Sequence, residues 1–362
     1  MGLKCGIIGL ANSGKTTIFN CLSNTRVQDA GQHGKTNIGQ VNVPDNRLNE
    51  IDKLIRSARI VPATVEIMDI PGLTKGSTQE GTINKFLGEI QQADALLHVI
   101  RCFDDPNVAH IEGNVNPVRD IETVDLELQI RDLDIIERKL QKTEKIAKLS
   151  GDKEARHVAA VLQKVKEHLE SFRNVRDMEL HEEEKRVIAD CFLLTVKPVM
   201  FVCNVDDASA ATGNQYVEQV RNALKERGGE AIIIAGKLES EIAELEDADD
   251  RKVFLSDAGL EEPGVNLMVR SAYRMLNLQA FFTAGPKEVR AWTIRKGMTA
   301  PQAAGAIHSD LERGFIRAEV MKYDDFIKFG SEHAVKEAGK FHVEGKNYIV
   351  QEGDILHIRF NV

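Results

Sequence analysis

The sequence predicts an α/β protein in three parts: a P-loop, G-domain-like sheet, a helical coiled-coil hairpin inserted into it, and a C-terminal β-grasp domain. Three observations carry that prediction. The motif Gly9-Leu10-Ala11-Asn12-Ser13-Gly14-Lys15-Thr16 follows the apolar run Cys5 to Ile8 and precedes a helix-forming segment. Two apolar stripes at spacings of three and four flank the turn Ser150-Gly151-Asp152. Short alternating strands crowd the chain beyond Phe281.

Composition sets the outer limits. A length of 362 residues with 42% hydrophobic side chains predicts two or three domains with real cores. A net charge of −9 argues against coating the whole surface with nucleic acid, so any RNA contact must be local. No charged leader with an apolar core opens the sequence and no long apolar run crosses it, which predicts a cytoplasmic protein with no membrane partner. The five cysteines are odd in number, lack C-x-x-C spacing and sit mostly among apolar neighbours, the pattern of buried free thiols.

The first element fits G-x-x-x-x-G-K-[ST] between a strand and a helix. Its glycines let consecutive N–H groups converge on phosphate oxygens, and the helix N-terminus adds partial positive charge. Lys15 is placed to reach the β/γ-phosphates and Thr16 to offer its hydroxyl to Mg²⁺. Residues 24–39 are polar and glycine-rich, the place of a first switch loop, with Thr36 as candidate metal ligand and Thr25 nearer the helix end.

Val65 to Ile70 reads as a buried strand ending in Asp69-Ile70-Pro71-Gly72. Its carboxylate suits Mg²⁺ and Gly72 suits a main-chain N–H turned to the γ-phosphate. Where small GTPases place a water-orienting glutamine stands Leu73, which can neither donate nor accept a hydrogen bond. Ala95 to Ile100 is the next central strand.

Leu126, Ile130, Leu133, Ile136 and Leu140 form one stripe, and Ala155, Val158, Leu162, Val165 and Leu169 form its return partner. The charged outside of this hairpin serves equally as a docking arm or as solvated surface. Pro198 to Cys203 then resumes the main sheet and ends at Asn204-Val205-Asp206-Asp207, the place of the base-reading N-K-x-D loop. Ala231 to Ile234 is the last strand, with Ala235 and Gly236 in the loop that backs the base.

Beyond Phe281, Val289 to Ile294, Ile316 to Val320, Tyr348 to Val350 and Ile355 to Phe360 read as strands. A helix capped by Thr299 is expected to run through Leu311. His308, His333, His342 and His357 are scattered, so the unit reads as a binding module rather than a catalytic one. The expected map is 1–124 and 195–280 for the nucleotide domain, 125–194 for the arm and 281–362 for the last domain.

With these residues in hand, the chain resembles the Obg-like ATPase (YchF) family over essentially its whole length. The matching runs include Lys4 to Asn20, V-P-D-N-R-L at 43–48, Asp69 to Leu73, Val99 to Phe103, E-S-E-I-A-E-L at 239–245, Leu276 to Trp292 and the closing R-F-N-V. The resemblance implies a TRAFAC-type G domain, a helical arm and a C-terminal TGS domain. It implies Mg²⁺-dependent hydrolysis of ATP in preference to GTP and a regulatory role in translation or stress responses. It also implies association with the ribosome; the expected partner is the large subunit or intact ribosome, with RNA contact through the arm or the TGS domain, and the expected state is a monomer.

Carried onto this chain, the resemblance has Asn12, Ser13, Gly14, Lys15, Thr16 and Thr17 lining the phosphates, Lys15 serving catalysis, and Leu73 as the family's hydrophobic replacement of glutamine. His110, in Asn107-Val108-Ala109-His110-Ile111, matches the histidine proposed to position the attacking water. The chain departs from the family at Gln32 to Asn37, where a P-F-C-T-I-E-P-N run is replaced and shortened, and at Asp207, usually glutamate. An inward Asp207 would favour guanine, whereas Val205 in place of lysine and the resemblance favour adenine. ATP is the expected nucleotide and GTP the alternative, beside a non-catalytic, nucleotide-gated scaffold.

Overall fold

The computed structural model describes residues 4–22, 37–71, 88–150, 152–225, 227 and 229–361. They fall into two compact units, one of 3–39 with 66–268 and one of 40–65 with 269–362.

The first unit is built on a six-stranded sheet in the order β2-β4-β1-β5-β6-β7. Its strands are β1 (Lys4–Ile8), β2 (Asn37–Asn42), β4 (Thr64–Asp69), β5 (Ala95–Arg101), β6 (Val199–Asn204) and β7 (Ala231–Ile234). β1 pairs in parallel with β4 on one side and β5 on the other, and the order then continues outward through β6 and β7. Strand order therefore reverses at β1, and a crevice opens beyond its carboxyl end, where the phosphate loop lies. All seven residues of β5 are buried, as a strand covered on both faces requires.

The hairpin consists of α3 (Pro117–Ser150, 34 residues) and α4 (Lys153–Glu170). At 1.5 Å per residue α3 is about 50 Å long. Its first turns belong to the sheet: Val124 and Leu128 pack with Ile8, Met68 and Leu96. Farther out, Ile136 and Leu140 pack with Leu162, Val165 and Leu169 of α4.

The expected stripe on α3 is corrected at its start. Leu126 and Ile130 are 40% and 46% exposed, whereas Leu128 and Asp132 are buried. The reason is polar: the Asp132 carboxylate accepts from the main-chain N–H groups of Leu194 (2.8 Å) and Thr195 (2.7 Å) and from the Thr195 hydroxyl (2.6 Å), which turns that face inward.

The second unit holds a sheet ordered β11-β10-β12-β8-β9-β3. Its members are β3 (Ile60–Val61), β8 (Leu278–Ala284), β9 (Val289–Arg295), β10 (Phe315–Lys322), β11 (His342–Glu344) and β12 (Asp354–Phe360). Within 278–361 the first and last strands are parallel neighbours at the centre, each flanked by an antiparallel neighbour, with the Ala300–Ile307 helix against the core. That is the β-grasp arrangement.

Three details differ from expectation. Residues 40–65 cluster with this unit: β3 pairs with β9, and Arg47 of α2 (Arg47–Ile55) bonds Asp45 and Glu352. The helix from Ala300 stops at Ile307, because His308 is extended (φ −163°, ψ 143°), and a second short helix begins at Ser309. Tyr348 to Val350 makes only one bridge, Thr299 to Ile349, instead of a strand.

Candidate functional site

The phosphate loop connects β1 to α1 (Lys15–Leu22). Gly9 (φ +147°) and Gly14 (φ +93°) occupy backbone conformations that side chains rarely adopt, and a Cβ on them would collide with the Val99 carbonyl and the Asn204 amide respectively. Asn12 is also left-handed (φ 63°), and its amide donates to the Ala109 carbonyl at 3.0 Å. The loop is thus clamped between β5, the 102–110 loop and β6.

Lys15 lies beneath the loop, buried, with Nζ donating to the Leu10 carbonyl at 2.7 Å. Burial lowers its pKa to about 8, against the pull of Asp69. Thr16 Oγ1 donates to Asp69 Oδ2 at 3.0 Å. Asp69 is 1% exposed, and burial raises its pKa while the Thr16 hydrogen bond and Lys15 lower it. Two hard oxygen donors in contact, one an anion held at a desolvation cost, fit a divalent cation. Among the described residues no group of three or more His, Cys, Asp or Glu could hold a metal ion. The Ser13 hydroxyl is buried without a partner, an orphan acceptor and donor under the loop.

Asn204 ties the base side to the phosphate side. Its Nδ2 donates to the Ser13 carbonyl at 3.0 Å and its Oδ1 accepts from Gly236 N–H at 3.0 Å. Gly236 opens the helix Gly236–Glu244, so the expected loop is a helix N-terminus, with the Ala235 carbonyl accepting from Glu239.

Val205 is 2% exposed, and its side chain joins Ile100, Cys102 and Phe201 in the core. Asp207 is exposed on the turn Asp207–Ser209, which Asp206 caps by accepting from Ser209 N–H. Thr17 is half-buried in the first turn of α1. Thr36, Gly72 and Leu73 lie outside the described residues.

His110 lies beside the loop. Together with Asp120 it lines, with Leu10, Ala11 and Ser13, a crevice too tight for water.

The whole chain aligns with curated relatives. The "Ribosome-binding ATPase YchF" of Haemophilus ducreyi is 46% identical over 366 residues, 100% of both chains. Those of Escherichia coli O157:H7 and Bacillus subtilis are 45% and 43% identical, again over 100% of both. The chain belongs to the YchF family. A family model described as 50S ribosome-binding GTPase matches residues 4–164, and the YchF-GTPase_C model, described as a protein of unknown function (DUF933), matches 278–361. The Schizosaccharomyces pombe YchF GTPase structure superposes with a TM-score of 0.88 at 32% identity, covering 99% of this chain and 98% of that one.

Against the YchF frame, several residues at the site gave no signal in the sequence. Arg101 is 3% exposed and donates to the carbonyls of Phe103 (3.2 Å), Asp105 (3.3 Å) and Val108 (2.8 Å), which fixes the loop that carries His110. Asp120 pairs with His110 Nε2 at 2.9 Å. The Leu10 carbonyl is invisible to motif reading, since any residue supplies one. A lone arginine closing an apolar strand was the only available hint for Arg101.

Proposed function

We propose that this chain is a Mg²⁺-dependent ATPase whose nucleotide state controls its association with the ribosome, and that it thereby regulates translation or a stress response. The observation that carries the reading is the phosphate loop: glycines in conformations only a bare backbone tolerates, Lys15 beneath them, and Thr16 against Asp69 at 3.0 Å. Full-length identity to relatives named ribosome-binding ATPases supports the partner.

Loop N–H groups and the α1 N-terminus hold the phosphates, and Lys15 exchanges the Leu10 carbonyl for a phosphate oxygen. Thr16 and Asp69, with Thr36, would hold Mg²⁺, which when bound neutralises charge growing on the β- and γ-phosphate oxygens. Gly72 is the residue expected to offer its N–H to the γ-phosphate. With Leu73 in the glutamine position, His110 is the group that orients water. Turnover is therefore slow without the partner. Val205, buried where the motif has a lysine, and the relatives named ATPases support adenine, with Asn204, Asp207, Ala235 and Gly236 framing the base.

The far end of the arm supports local contact with ribosomal RNA. Between 142 and 156 it carries Lys142, Lys145, Lys148, Lys153 and Arg156 against Glu144, Asp152 and Glu154, in a chain of net charge −9, and Leu149 is 89% exposed. A β-grasp contact is the alternative route. Among the described residues no helix is long and apolar enough to cross a membrane. The reading is of a cytoplasmic monomer that docks on the large subunit or intact ribosome.

Steady-state phosphate release from ATP and from GTP, with and without ribosomes, tests this. Stimulated ATP turnover is expected. No turnover with either nucleotide in the presence of ribosomes would leave a scaffold, and faster GTP turnover would make the chain a GTPase.

A further inference from the structure

We infer that Asp120 is a positioning residue that withholds His110 from the nucleotide until the bond between them breaks. The inference rests on the reading of His110 as the water-orienting group.

Both ring nitrogens of His110 are engaged. Nδ1 accepts from Glu112 N–H at 3.0 Å, so the ring proton sits on Nε2, which donates to Asp120 Oδ2 at 2.9 Å. Both side chains are 5% exposed, and the crevice they share with the phosphate loop admits no water. In this arrangement the ring can neither accept from nor donate to an attacking water. Hydrolysis requires the Asp120 bond to break.

Asp120 stands at the root of the arm, on the part of α3 that packs against the sheet through Ile121 and Val124. It sits in the first turn of α3, the helix whose outer part forms the coiled-coil hairpin. Its other oxygen takes Arg119 Nη2 at 3.1 Å, and Arg119 is in turn fixed by the Asn114 side chain (2.8 Å) and carbonyl (2.7 Å). The loop is also held by Arg101 and by Asn12. Breaking the Asp120–His110 bond leaves those two anchors of the loop in place.

The test is Asp120→Asn in the full chain, an isosteric change that exchanges a charge-assisted hydrogen bond for a neutral one. Ribosome-free kcat for ATP should rise about fivefold, the ratio expected from that exchange, with ADP affinity unchanged. Stimulation by ribosomes should shrink by the same factor, and His110→Ala should cancel the gain in the double variant. A kcat at or below wild type, with ADP affinity intact, overturns the proposal. His110→Ala with wild-type turnover sinks the reading beneath it instead, and is told apart because that variant leaves Asp120 untouched. Should Asp120→Asn unfold, imidazole ¹⁵N spectra of the nucleotide-free wild type decide: a single Nε2–H tautomer supports the restraint, and Nδ1–H contradicts it.

Discussion

The Lys15 ammonium donates to the Leu10 carbonyl at 2.7 Å, five residues earlier in its own loop. Without a phosphate the loop satisfies its buried cation internally, so binding exchanges one partner for another instead of creating an ion pair from solvent. Burial has already lowered the lysine pKa from 10.5 to about 8. Phosphate favours the charged form and must raise that pKa, so binding takes up a proton above pH 8. Affinity for ADP should be level below about pH 8 and fall by up to about tenfold per unit above it. Calorimetry at pH 8.5 in buffers of different ionisation enthalpy should show uptake approaching one proton. A flat affinity from pH 7 to 9.5 would refute this. The stability effect has the opposite sense: the folded pKa lies below the unfolded value, so this group's contribution to stability improves as pH rises from about 8 towards 10.5.

Asn204 predicts a linked loss. Its amide serves Ser13 and Gly236 at once, both at 3.0 Å, and is 5% exposed. Asn204→Ala leaves a carbonyl and an N–H unpaired, for a destabilisation of about 2–4 kcal/mol in urea unfolding. Nucleotide affinity should fall in the same variant, because the two groups frame the phosphate and base sides of one pocket. Loss of stability with affinity unchanged would separate them.

Asp132 is fully buried and receives three hydrogen bonds from Leu194 and Thr195. Asp132→Ala should cost about 3 kcal/mol or more, since two buried N–H groups lose their acceptor. Leu126→Ala, four-tenths exposed on the same helix, should cost under about 1 kcal/mol. Denaturant midpoints measure both, and equal costs would contradict the corrected face of α3.

The same contrast explains what the sequence made legible. The phosphate loop could be read because its chemistry is local: eight consecutive residues contain the turn, the cation and the hydroxyl. Strands β1, β4, β5, β6 and β7 could be read because strands of a parallel sheet are rich in apolar residues, with burial unbroken in the central β5. The α3 face was misread at its root because a buried carboxylate interrupts the apolar period, and its partners Leu194 and Thr195 lie more than sixty residues away. β3 has only two residues, too few for any period, so nothing signalled that 40–65 pack with the β-grasp sheet. Val205 and Asp207 kept the places of a base-reading motif, yet only the fold shows one turned into the core and the other to solvent. Asp120 is an ordinary helix-start acid until the 102–110 loop brings His110 onto it.

The most direct measurement is a calorimetric titration of the purified, nucleotide-free chain with ADP and with GDP in the presence of Mg²⁺. The account predicts saturable ADP binding, lost in Lys15→Ala, with GDP weaker. GDP tighter by tenfold or more would contradict the choice of base, and no binding of either would contradict the pocket itself.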